Sequence, residues 1–122
     1  MAYAYDSTNI FARILRGEIP NATVLETAHT LAFRDIAPQA PQHVLVIPKG
    51  AYVNYDDFCA RASDAEIVDF ARACAEVCKS LEVEAKGFRA ITNAGDHGGQ
   101  EVPHYHLHIV AGQPLGRMLE KA

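Results

Sequence analysis

Four of the six histidines fall between positions 97 and 108, and three of these, His104, His106 and His108, are spaced by two. In an extended strand, side chains at i, i+2 and i+4 share one face, each about 6.6 Å from the next. The spacing therefore predicts an imidazole row on one side of a strand, with Tyr105, Leu107 and Ile109 facing the other way as an apolar anchor. Three readings of such a row are open. It can be the wet side of a half-exposed strand, although Thr, Lys or Glu are the usual residues there. It can bind metal, since imidazole is a common zinc ligand, but no HExxH, cysteine pair or partner carboxylate accompanies it. Or it can hold a nucleophile, because imidazole titrates near pH 6.5 and leaves a ring nitrogen neutral at cell pH. In that case the neighbouring rings orient the nucleophile and donate to a phosphate oxygen. Three protonated rings on one face would repel, so a mixed protonation state is expected.

Just ahead lies Asn93-Ala94-Gly95-Asp96-His97-Gly98-Gly99-Gln100. Paired glycines let a backbone approach a ligand closely and turn its amides toward an anion. Alone such a pair is more often a simple turn; ahead of three aligned histidines it reads as a phosphate cradle.

These residues need a scaffold. Asp6-Ser7-Thr8-Asn9 supplies helix caps for a short helix over Ile10 to Arg16, which Gly17 and Pro20 stop. Thr23 to Glu26 and Thr30 to Asp35 read as a hairpin, and His43 to Ile47 as a β-branched strand ended by Pro48. Residues 49 to 62 carry little periodicity and read as a loop, with room for a helical turn around Asp56 to Cys59. Ser63-Asp64-Ala65-Glu66 is a capping box. Apolar residues recur after it at 67, 70, 71, 74, 77, 78 and 81, while Asp69, Arg72, Glu76 and Lys79 take the wet side. Phe88 to Asn93 and His104 to Val110 complete five strands. Hairpin-length connections and one long crossing helix predict an α+β fold, an antiparallel sheet with one short N-terminal and one long central helix, rather than a doubly wound one.

A chain of 122 residues, 49% hydrophobic and 21% charged, suits one domain over residues 1–122. Eleven basic against fifteen acidic residues give a net charge of −4, which lacks the basic surface that nucleic acid demands. The longest aliphatic run, Val44 to Ile47, is far short of a membrane span, and the N-terminus has neither the basic flank nor the apolar stretch of a secretory signal. Three cysteines, Cys59, Cys74 and Cys78, an odd number without an export signal, point to reduced thiols and a cytoplasmic location. Cys74 and Cys78 lie on the apolar face of the long helix, where core thiols are the expected reading.

His104-Tyr105-His106-Leu107-His108-Ile109-Val110 resembles the His-φ-His-φ-His-φ-φ motif of the histidine triad superfamily. Ile10 to Ile14 with Gly17-Glu18-Ile19-Pro20, the block Ala32 to Pro41, His43 to Lys49, and Gly98 to Val102 extend the likeness over nearly the whole chain. They are similar to its bacterial nucleotide-binding, Hint-like branch.

The resemblance implies a purine nucleoside phosphoramidase that also acts on aminoacyl adenylates, with purine nucleoside monophosphates and their phosphoramidates as ligands and no cofactor or metal. His106 would be the nucleophile that forms a nucleotidyl intermediate. His108 and the backbone near Gly99 and Gln100 would hold phosphate oxygens, and His104 and His43 would orient the nucleophile and shuttle protons. Asp35 matches the ribose-hydroxyl ligand, and Asn93 a polar contact near sugar and phosphate. Ile36, Phe11, Ile14, Phe33 and Leu45 match the walls of the base pocket. Before Val102, where some members carry a Ser tied to leaving-group protonation, this chain has Glu101, as bacterial relatives do. His108 favours a hydrolase, since the superfamily's nucleotidyl transferases usually carry Gln there. A homodimer is a further implication. Hydrolysis of dinucleoside polyphosphates, or a nucleotide-binding regulatory module with vestigial turnover, are the alternative functions.

Overall fold

In the computed structural model, which describes residues 3–119, the chain begins its first helix where a side chain can close it. The Oδ1 of Asn9 accepts from the Ala12 amide at 2.9 Å and caps α1 (Ile10–Leu15). Gly17, at φ +79°, takes the left-handed turn that ends the helix. The chain then forms β1 (Thr23–Glu26), β2 (Thr30–Arg34) and β3 (Gln42–Pro48). Next come α2 (Tyr55–Arg61), α3 (Asp64–Ser80), β4 (Phe88–Ile91), the single turn α4 (Gly95–Gly98) and β5 (Leu107–Ala111).

The five strands form one antiparallel sheet in the order β1-β2-β3-β5-β4, so β3 and β5 lie inside it and β4 is an edge. Strand alternation gives the sheet two apolar faces. On one, Ala32, Val44, Val46, Tyr105 and Ile109 pack with Phe58, Phe70, Val77 and Cys78 of the helices. On the other, Leu31, Phe33, Leu45 and Ile47 pack under Phe11 and Ile14 of α1. The odd positions of β3 thus carry His43 onto the α1 face, and the even ones anchor α3. Among the described residues, no helix is long and apolar enough to cross a membrane.

Several expectations change in detail. The segment read as loop holds α2, capped by Asn54, whose Oδ1 accepts from the Asp57 amide at 2.9 Å. Asp57 then binds Arg61 one turn on at 2.6 Å. The capping box of α3 is present as read, but Asp69 is no wet-side residue. Its Oδ2 accepts from the hydroxyls of Thr27 and Thr30 and the amide of His29, pinning the β1–β2 turn to the helix. The burial stripe of α3 is also narrower than its apolar pattern: Phe70, Ala73, Val77 and Cys78 are buried, whereas Ile67 and Ala71 are open to solvent. Burial in apolar surroundings pushes the Cys74 thiol up to about 12, as expected of a packed thiol rather than a reactive one. Cys59 is exposed, outside that packed pair. The last strand begins at Leu107, not His104, because the Tyr105 amide donates to the Tyr52 carbonyl at 2.8 Å instead of joining the ladder with β3.

Candidate active site

The predicted alternation survives in the extended run ahead of β5. Tyr105 and Ile109 enter the core beneath α3, while His104, His106 and His108 turn to the opposite side. The three rings nevertheless occupy different environments. His104 is fully buried, His106 nearly so, and His108 half-buried.

Each ring's tautomer follows from partners that can only donate or only accept. His106 Nδ1 lies 2.7 Å from the His104 carbonyl oxygen, which only accepts, so Nδ1 carries the proton and Nε2 keeps the lone pair. His104 Nε2 lies 2.9 Å from the Pro48 carbonyl and must donate to it. His43 Nδ1 accepts from the Gln39 amide at 3.1 Å, so its Nε2–H donates to His108 Nδ1 at 2.9 Å. That leaves the Nε2–H of His108 as a donor. The row therefore combines one lone pair, on His106, with a donor beside it, on His108, whose ring centroid is 5.1 Å away.

Electrostatics keeps these rings neutral. Burial pushes His104 down to about 4 and, together with repulsion from His106 and His43, pushes His108 down to about 4. Burial also lowers His106, opposed by its bond to the His104 carbonyl and by the charges of Asp35 and Glu101. Phe11 packs nearly perpendicular to His106 with ring centroids 5.0 Å apart.

His106 and His108 open into a cleft of about 440 Å³ on the α1 face. Phe11, Ile14, Phe33 and Leu45 form its apolar part, and Asp35, Asn93, Gly99, Glu101 and Val102 also line it, so most of the expected ligand contacts are brought together. Ile36 lines it too, but at 96% exposure it stands at the rim rather than as a packed wall. Three expected residues do not line the cleft. His104 lies behind His106. His43 lies behind His108, with Nε2 3.4 Å from Asp35 Oδ2. Gln100 is committed elsewhere: its side-chain amide donates to the Val53 and Val102 carbonyls and its Oε1 accepts from the Gly95 amide. The backbone amides of Gly99 and Gln100 donate to Asp96 and Gly95 within the turn, so an anion would compete with that turn for them.

The Asp35 carboxylate faces two ways. Its Oδ1 accepts from the Ala37 amide at 2.8 Å and closes the turn after β2, while Oδ2 remains toward His43 and the cleft. The sequence reading missed Ile10, Ile19, Pro20, Asn21, Arg34 and Gln39, which also line the cleft. The stop signal at Gly17 to Pro20 was legible; that the chain leaving α1 folds back to the site had no local signal.

Among the described residues, Asp35, His43 and His108 form a group whose ligand atoms lie within 4.8 Å of one another, close enough for one metal ion. In the structure His43 Nε2 and His108 Nδ1 of this group are hydrogen-bonded to each other at 2.9 Å.

The HIT-domain family model matches residues 16–115. Over 121 residues the chain is 57% identical to an uncharacterized 13.2 kDa HIT-like protein of Azospirillum brasilense, covering 99% of each. It is 40% identical over 110 residues to the purine nucleoside phosphoramidase of Escherichia coli K12, covering 90% of this chain and 92% of that one. A solved HIT family hydrolase from Clostridium thermocellum superposes with a TM-score of 0.84 at 34% identity, covering 93% of this chain and 99% of that one. A triad with one ring's lone pair left free, set on this five-stranded sheet and matched along nearly its full length, makes the chain a member of the histidine triad (HIT) family.

Proposed function

We propose that this protein hydrolyses the P–N bond of purine nucleoside 5′-phosphoramidates, and the acyl–phosphate bond of aminoacyl adenylates, through a nucleotidyl intermediate on His106. One observation carries the reading: the 2.7 Å bond from His106 Nδ1–H to the His104 carbonyl, which leaves the Nε2 lone pair as the nucleophile beside an open cleft. The nucleobase sits among Phe11, Ile14, Phe33 and Leu45, and the ribose hydroxyls donate to Asp35. Asn93 contacts the sugar and phosphate. The Nε2–H of His108 donates to a phosphate oxygen.

Attack of Nε2 on phosphorus forms the N–P bond of the intermediate as the amine departs. The departing amine takes up a proton from solvent, relayed by Glu101 on the cleft wall, and the water that attacks in the second step gives one back by the same route. Water then attacks phosphorus from the side the amine left, and the Nε2–P bond breaks to return a neutral imidazole. Splitting the reaction in this way replaces one difficult displacement by two easier ones. The name of the E. coli relative supports the substrate class.

We also infer a homodimer, supported by the open apolar residues of α3 and β4, and a cytoplasmic setting, supported by the free thiols of Cys59, Cys74 and Cys78. The test is incubation with adenosine 5′-phosphoramidate. Wild-type protein releases AMP, while His106→Ala gives neither AMP nor a nucleotidyl adduct by mass spectrometry. Undiminished turnover in that variant, or preference for a dinucleoside polyphosphate in a side-by-side assay, overturns the reading.

A further inference from the structure

Ahead of α1, the segment from Tyr3 to Asn9 is held by side-chain contacts to two distant residues and by one turn within itself. The Tyr3 hydroxyl donates to Asp56 Oδ2 at 2.8 Å, at the start of α2. Asp6 Oδ1 accepts from both the amide and the hydroxyl of Thr8. Between them, the Tyr5 hydroxyl reaches His104 Nδ1 at 2.7 Å, ninety-nine residues away in sequence.

The direction of that last bond is fixed. His104 Nε2–H donates to the Pro48 carbonyl, so in the neutral ring Nδ1 can only accept, and the Tyr5 O–H donates to it. The ring is fully buried, with the Tyr5 ring at 5.7 Å and the Phe11 ring at 6.3 Å between centroids. Both of its polar atoms are satisfied only while Tyr5 is in place. His104 has a second link to the site: its own carbonyl receives the Nδ1–H of His106. The His104 ring and this carbonyl belong to one residue, so a displacement of the ring that carries its backbone along also moves the carbonyl that selects the nucleophile's tautomer.

We propose that Tyr5 is a positioning residue for His106: it holds the His104 ring against Pro48, and the His104 carbonyl then keeps the His106 proton on Nδ1 and the lone pair on Nε2. This rests on the nucleophilic role proposed for His106 but does not depend on the substrate. Tyr5 touches neither the cleft nor a reacting atom, and it acts only through His104.

The test compares Tyr5→Phe, which keeps the ring and loses the hydroxyl, with Tyr3→Phe, which loses the other tyrosine tether. Imidazole nitrogen NMR on folded protein reads the His104 and His106 tautomers directly, and steady-state kinetics with adenosine 5′-phosphoramidate reads the consequence. In Tyr5→Phe the His104 Nδ1 resonance moves toward that of an unbonded pyridine-type nitrogen and His106 shows a mixture of tautomers. At the same time kcat falls about tenfold with KM within about twofold, the loss expected of one hydrogen bond. Tyr3→Phe leaves both readouts unchanged. An unchanged His106 tautomer in Tyr5→Phe overturns the proposal, as does an unchanged kcat in an active enzyme. Should wild-type protein turn over no phosphoramidate, the proposed reaction fails, and the NMR comparison alone still decides whether Tyr5 sets the His106 tautomer.

Discussion

The Nε2–H of His43, on β3, donates to Nδ1 of His108, on β5, across 2.9 Å. The two residues are diagonal neighbours in the ladder, since Leu45 pairs with His108 and His43 with Val110. Their bond fixes which nitrogen of His108 faces outward with a proton. Replacing His43 by Ala leaves His108 Nδ1 without a donor and frees the ring to adopt either tautomer. Loss of such a bond corresponds to about 1–2 kcal/mol, so we expect kcat in His43→Ala to fall about fivefold to thirtyfold while AMP affinity changes less. Steady-state kinetics beside calorimetric titration with AMP checks this, and an unchanged kcat contradicts it.

The neutral rings predict the pH dependence. Burial holds His106 below the ordinary value of a histidine, so its lone pair is available throughout the neutral range. The acid limb of kcat/KM is expected to bend below pH 6.5, and an inflection above that value would contradict the lowering of His106 by burial. Stability follows the same sign. His104 and His108 titrate at about 4 in the folded protein, whereas unfolded histidine titrates near 6.5. Between these values the unfolded chain binds more protons, so the stability these rings contribute is fully present above pH 6.5 and is lost progressively as pH falls toward 4. By pH 5 the loss is about 2 kcal/mol for the fully buried His104 and smaller for the half-buried His108, whose charge solvent partly screens. Melting curves at pH 7.5 and pH 5 would show a marked fall in Tm, and equal values would contradict it.

Much of this was legible in the sequence, for identifiable reasons. The spacing of two from His104 to His108 encodes a shared face, and that held even where the ladder stops short of His104. Ser63 and Glu66 announce a helix start with local chemistry alone. Asp69 was read as solvated because helical periodicity sees only its own helix; its partners Thr27, His29 and Thr30 come from a distant turn. Gln100 was read for its backbone, and the bonds of its side-chain amide to the Val53 and Val102 carbonyls, which brace the loop, come from partners that no local pattern announces. Tyr5 carries no motif at all, and only the fold brings its hydroxyl to His104.

Asp35 divides its carboxylate between a turn and the cleft, so its two oxygens can be tested apart. In Asp35→Asn the amide oxygen still accepts from Ala37, while the oxygen that faces His43 becomes a donor. We expect the fold to hold and AMP affinity to drop about tenfold, equivalent to about 1.4 kcal/mol. A 2′,3′-dideoxy analogue, which lacks the hydroxyls, would bind wild type and variant alike. The pair of titrations checks the assignment; an equal loss for both ligands places the effect away from the ribose.

The open apolar residues of α3 and β4 require a cover if the homodimer is correct. Val68 is 54% exposed on the helix, and Phe88 is 46% exposed on the edge strand, whose outer side has no strand neighbour among the described residues. An unpaired edge carrying an aromatic residue is poorly suited to face water in a lone chain. Burying either side chain against a second copy is worth about 1.5–3 kcal/mol. A charge at one of these positions therefore weakens self-association by at least tenfold, from the loss of burial alone. Sedimentation of wild-type protein at micromolar concentration should give twice the chain mass, with Val68→Glu and Phe88→Arg each shifted toward a single chain. Neither residue lines the cleft, so any loss of AMP binding in these variants should track the monomer fraction. A wild-type protein that sediments as a single chain across this range rules the assembly out.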